Sequence, residues 1–122
     1  MDLEARINQF FQLATAQDWE GFEQMFAPDA RAKQSIGEES DIPTLMLTLK
    51  GISDAGITTG YENVRRVVGD SAVVEQHDVR LTRPDGVEVV VDICVVAQFD
   101  EAGLIARIDE YFDSAAIAPL LS

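Results

Sequence analysis

Residues 71–113, SAVVEQHDVRLTRPDGVEVVVDICVVAQFDEAGLIARIDEYFD, decide the fold, because they read as three consecutive antiparallel strands joined by two short turns. Two β-rich runs flank Asp85-Gly86, and Asp-Gly between such runs is a strong hairpin signal. The second run sets the inward face. Val87, Val89, Val91, Ile93, Val95, Ala97 and Phe99 are all apolar, and Glu88, Asp92 and Gln98 fall on the alternate face. Strand side chains alternate between faces, so the odd-numbered set is expected to meet the core. A two-residue turn at Asp85-Gly86 then sets Arg80 opposite Val91, Asp78 opposite Ile93 and Gln76 opposite Val95, which points Gln76, Asp78 and Arg80 inward. A three-residue loop would invert them. Counting Asp100-Glu101-Ala102-Gly103 as a four-residue loop sets Ile108 opposite Val95, Glu110 opposite Ile93 and Phe112 opposite Val91.

On this register Asp78 and Glu110 flank Ile93 from its two sides. Strands lie about 4.8 Å apart, so the two backbones are roughly 9 to 10 Å apart and the side chains can share a small ligand or a water. An unpaired buried carboxylate is costly. Two acids on an apolar face therefore imply either a lined pocket or a structural ion-pair cluster neutralised by Arg80.

The rest of the chain narrows the possibilities. Its 122 residues suit one domain, 1–122, with one core. A formal net charge of −13, with no basic patch, opposes binding to nucleic acid or to an anionic membrane surface. No apolar run is long enough to span a bilayer, and the opening MDLEARINQF is acidic and amphipathic, so no secretory leader is expected and the expected location is cytoplasmic. One His, one Cys and no HxH, CxxC or HExxH spacing argue against a metal site, and no cofactor is expected. Cys94 cannot form an internal disulfide and falls on the even, outer face of its strand.

In chain order, Leu3, Ile7, Phe10, Phe11 and Ala14 recur at helical spacing. Asp18 caps a second short helix whose stripe is Trp19, Phe22, Met25 and Phe26, stopped by Pro28. Residues 29–41 read as a short strand and a loop, and Asp41 with Pro43 starts a third helix carrying Leu45, Met46, Leu47, Leu49 and Ile52. Residues 57–68 read as a strand. The apolar tail with Ile117, Leu120 and Leu121 is placed to close the mouth of the fold or to join a partner chain.

This order resembles the nuclear transport factor 2-like superfamily, an α+β cone in which three N-terminal helices cover the concave face of a curved antiparallel sheet. Within it the chain is similar to SnoaL-like polyketide cyclase domains and to limonene epoxide hydrolase. The resemblance rests on Phe26-Ala27-Pro28-Asp29, Glu75-Gln76-His77-Asp78-Val79, the segment from Phe99 to Ile105, and Asp109-Glu110-Tyr111-Phe112-Asp113. It implies that Asp78 stands at the proton donor of the epoxide hydrolases and Glu110 at the base that activates water. Gln34 stands at their water-binding asparagine, whereas Gln76 replaces their bridging arginine and Ala32 their water-holding tyrosine. Arg80 is the candidate to take over the bridging role. A ketosteroid-isomerase reading fails at Gln34, because an amide cannot abstract a proton. His77, on the face opposite Asp78, reads as an exposed or interface histidine.

The expected function is a cone that binds a small, largely apolar organic substrate, with Asp78 and Glu110 as an acid and base pair tuned by Arg80 and Gln76. Hydrolysis of an epoxide or a cyclisation would use such a pair. The expected walls are Phe11, Ala14, Met46, Leu49, Val91, Ile93, Ile108 and Phe112. The alternative is a ligand-binding or dimerisation module without chemistry. Val90, Cys94 and Val96 give the outer face an apolar character, so a homodimer is expected.

Overall fold

A computed structural model of the chain describes residues 1–35 and 37–121; Ile36, inside the expected loop, and Ser122 lie outside them. Helix α1 spans Leu3–Thr15, capped by Asp2, and buries Leu3, Ile7, Phe10, Phe11 and Ala14, the stripe read from its spacing. Helix α2, Trp19–Glu23, starts at Asp18, whose carboxylate accepts from Gly21 N at 3.1 Å. Phe26 does not end that helix. It opens strand β1, Phe26–Gln34, and a two-residue strand β2, Ser40–Asp41, pairs back onto it. Helix α3, Ile42–Asp54, begins at the Asp41 cap with Pro43 in its first turn.

The remaining strands are β3, Thr58–Val68, β4, Ala72–Thr82, β5, Glu88–Phe99, and β6, Ile105–Tyr111. The sheet runs β2-β1-β6-β5-β4-β3. Strand β1 pairs with β6 in parallel, and the other neighbours are antiparallel. The three N-terminal helices cover one face, as expected. A 3-10 turn, Ser114–Ile117, and a short helix α4, Ala118–Leu121, then close the end of the cone, with Leu120 buried against Val89 and Val91. No helix among the described residues is long and apolar enough to cross a membrane.

The hairpin between β4 and β5 overturns the two-residue turn. Gly86 N bonds Arg83 O at 3.0 Å and Arg83 N bonds Val87 O at 2.8 Å, so the loop is Pro84-Asp85-Gly86. Proline presets the φ of the first turn position, and Gly86 at φ 91° takes the left-handed position that a three-residue loop needs. The pairs become Val79 with Val91, His77 with Ile93 and Glu75 with Val95. Consequently Glu75 and His77 point inward, and Gln76, Asp78 and Arg80 point outward.

The turn from β5 to β6 also has three residues, Glu101–Gly103, closed by Asp100 N to Leu104 O at 2.8 Å. A further one-residue shift between Gln98 and Phe99 follows, so two displacements add. Glu110 keeps its inward face but sits opposite Val95 rather than Ile93, and Ile108 sits opposite Ala97.

Candidate active site

One row of inward side chains crosses five strands. Gln34 on β1 neighbours Glu110 on β6, Glu110 neighbours Val95 on β5, Val95 neighbours Glu75 on β4, and Glu75 neighbours Arg66 on β3. Hydrogen bonds tie this row together at both ends. Gln34 Nε2 donates to Glu110 Oε2 at 3.3 Å, and Arg66 Nε donates to Glu75 Oε1 at 2.5 Å. The second Glu75 oxygen, Oε2, lies 2.5 Å from His77 Nδ1.

That last contact defines the imidazole. Glu75 is 1% exposed and His77 4% exposed, so the pair is shielded from water. A carboxylate at Nδ1 makes that nitrogen the donor, and in the neutral ring the lone pair then sits on Nε2. Nε2 has no protein partner among the described residues. Around it, Phe11 and Tyr61 pack with ring centroids 4.9 and 4.8 Å from the imidazole. His77 therefore belongs to the interior, not to an exposed or interface surface.

Beside these groups lies a cavity of about 390 Å³ between the sheet, α1, α3 and the C-terminal segment. Gln34, Tyr61, His77 and Glu110 line it together with the polar Gln17, Thr48, Ser53 and Thr59, and Phe11, Ala14, Leu49, Val91, Ile93, Ile108 and Phe112 line it as expected from the sequence. Met46 does not. It is 2% exposed within the core cluster instead. Ile117 and Leu121 reach the cavity from the C-terminal segment, and no lysine or arginine lines it among the described residues. A neutral, mostly apolar ligand suits such walls.

Electrostatics separate the groups. Burial pushes the Glu110 carboxyl above its usual range, with the Gln34 hydrogen bond and the nearby His77 opposing that shift. In its protonated form the acid donates a hydrogen bond. Burial, reinforced by the Glu110 and Glu75 charges, pushes the Tyr61 phenol up, so it stays a neutral donor.

Three expected site residues lie on the other side of the sheet. Asp78 sits opposite Asp92 and accepts from Asn63 Nδ2 at 2.7 Å. The hydrogen bond from Asp92, then that from Asn63, holds Asp78 below its usual range, and the same hydrogen bond pushes Asp92 up. Arg80 pairs with Glu62 at 2.6 Å and with Glu88, so it bridges neither inner acid. Gln76 is exposed beside Arg65 and Cys94. A signal for the correct face existed within β4 itself. Its odd positions carry Val73, Val79 and Leu81 around Glu75 and His77, and its even positions carry Gln76, Asp78, Arg80 and Thr82.

The sheet and its covered face have counterparts. A family model described as a SnoaL-like domain matches residues 7–108. The chain belongs to the SnoaL-like domain family. It sits within the nuclear transport factor 2-like superfamily. A structure from Xanthomonas campestris pv. campestris, of a protein proposed to be a polyketide cyclase, is similar to this SnoaL-like domain at a TM-score of 0.85 and 14% identity, covering 98% of this chain and 96% of that one. Another, from Pseudomonas putida KT2440, has a TM-score of 0.84 at 13% identity and covers 95% of each chain. SalBIII, an epoxide hydrolase/cyclase-like enzyme in pyran ring formation in polyether salinomycin, has a TM-score of 0.77 at 12% identity, covering 93% and 92%. At these identities the likeness is one of fold. No curated protein matches this chain.

Proposed function

We propose that this SnoaL-like domain is an acid–base enzyme acting on a small, neutral, largely apolar organic substrate, with His77 as proton acceptor and Glu110 as proton donor. The observation that carries the reading is the 2.5 Å contact from Glu75 to His77 Nδ1, which leaves Nε2 without a protein partner among the described residues on a side chain that lines the same cavity as Glu110. His77 Nε2 takes a proton from a carbon next to a carbonyl, or from water attacking an epoxide. Glu110, protonated, gives its proton to the substrate oxygen as charge develops there, and the two groups exchange protons with water to reset. Gln34 fixes the Glu110 carboxyl, and Tyr61 offers a second donor on the same side.

Both chemistries occur among the names of the structural neighbours, which supports a test that separates them. Small apolar epoxides in oxygen-18 water and 1,3-dicarbonyl compounds able to undergo aldol cyclisation are offered to the wild type, His77→Gln and Glu110→Gln. Labelled diol, or cyclised product, that disappears in both variants supports the reading. Equal turnover in His77→Gln and wild type ends it.

A second copy of this chain is the proposed partner on the outer face. There Val67 is 71%, Val90 45% and Tyr111 58% exposed, more apolar area than a solvated strand surface needs. Sedimentation at micromolar concentration tests this, with a monomer as the outcome against it.

A further inference from the structure

The row that ends in Glu75 continues to Arg66, a residue the proposed proton transfers do not use. Its side chain is 15% exposed, and that of Glu75 is 1% exposed. The two Glu75 oxygens are divided, Oε1 to Arg66 and Oε2 to His77, each at 2.5 Å. Strand β3 presents Arg66 through a bulge. Between Glu62 and Arg65 its pairing with β4 shifts by one residue at Asn63, whose φ is 54°. The extra residue turns Arg66 inward opposite Glu75 and leaves Arg65 outside, opposite Gln76. Asparagine tolerates this left-handed backbone, and Asp78 holds its side chain from the outer face at 2.7 Å.

We infer that Arg66 is a positioning residue for His77, acting through Glu75: it aims the buried carboxylate at Nδ1 and offsets its charge, so that His77 presents an unprotonated Nε2 to the cavity. The inference rests on the acid–base reading for its consequence in turnover. A guanidinium is permanently charged, so it serves as a fixed counter-ion even where both groups are shielded from water. It also cancels the charge of Glu75. A bare carboxylate beside the imidazole would instead draw a second proton onto the ring and consume the base.

The groups that face His77 are few. Glu75 comes from its own strand, Arg66 and Tyr61 from β3, and Glu110 from β6, while Ile93 on β5 and Phe11 on α1 present apolar surface. Asp78, its neighbour in the chain, faces outward beside Asn63 and Asp92 and is common to all the variants below.

His77 is the single histidine of the chain, so its ring nuclei give unique signals. The experiment is nitrogen-15 NMR of the whole labelled chain as a function of pH, without substrate. Wild type is expected to show the Nδ1–H tautomer in the neutral form. Arg66→Gln is expected to mix tautomers and to raise the midpoint of proton uptake by about one pH unit, as an opposite charge close by does when it is unshared. Arg66→Lys, which restores the charge, is expected to return both towards wild type. Tautomer and midpoint unchanged in Arg66→Gln would overturn the inference. If that variant does not fold, a folded Arg66→Lys that loses the Nδ1–H tautomer overturns it equally. The signals need no turnover, so a protein inactive on every substrate ends the acid–base reading and leaves this result to stand or fall by itself.

Discussion

Glu75 and Glu110 lie on the two strands that flank Val95, and they share a row without sharing a role. Glu75 spends its oxygens on Arg66 and His77, whereas Glu110 has one oxygen held by Gln34 and faces the cavity. The same side chain is thus tied up in a hydrogen-bonded ion pair at one place and left facing the cavity, with a raised carboxyl, at the other. Their partners make the difference, not their burial alone.

The raised Glu110 carboxyl makes stability depend on pH in a stated direction. Its folded value lies above its unfolded one, so between the two the native state holds more protons than the unfolded chain. Stability from this group is therefore present below the ordinary glutamate range and is lost as pH rises through the folded value. Glu110→Gln keeps the shape and cannot ionise. Its melting temperature is expected to exceed that of wild type in mildly alkaline buffer, with the advantage shrinking in acid; thermal melts across pH decide it, and a constant difference counts against the shift.

Opposite faces of β4 give opposite outcomes. His77→Gln removes the proposed base and is expected to lower kcat by about 100- to 10,000-fold. Asp78→Asn, on the outer face with Asn63 and Asp92, is expected to leave kcat within about the scatter of a surface substitution. Steady-state kinetics on the same substrate compare the two, and comparable losses would return Asp78 to the site.

Leu120 tests the C-terminal closure. It is 8% exposed among Val89 and Val91, and Arg83 Nη1 donates to its carbonyl at 2.9 Å. Leu120→Ala is expected to cost about 2 to 3 kcal/mol in urea unfolding, because the emptied space is only partly refilled. Loosening the neighbouring Ile117 and Leu121 should also weaken apolar ligands. The single tryptophan, Trp19, lines the same cavity, so its fluorescence reads the binding.

Gly86 tests the loop that sets the faces. A Cβ placed there meets nothing within 4 Å, so any cost is that of the backbone at φ 91°. Gly86→Ala is expected to destabilise by about 1 to 2 kcal/mol in the same unfolding assay. Wild-type stability would mean the hairpin closes by another turn.

What the sequence determined by itself was local. The stripe of α1, the Asp18 and Asp41 caps and the inward face of β5 all follow from side chains within a few residues of one another, where spacing and capping chemistry act, whereas Glu110 keeps its inward face only because two register displacements add to an even number. Tertiary structure decided the rest. One extra loop residue, Pro84, exchanged Asp78 for His77 on the inner face, and hairpin signals name a turn more surely than they count it. The bulge at Asn63 chose Arg66 over Arg65, and the parallel pairing of β1 with β6 brought Gln34 to Glu110 across 76 positions of chain. A strand's alternation is a property of the strand, whereas register is a property of the pair, so the residues that share the cavity emerge only when the sheet closes.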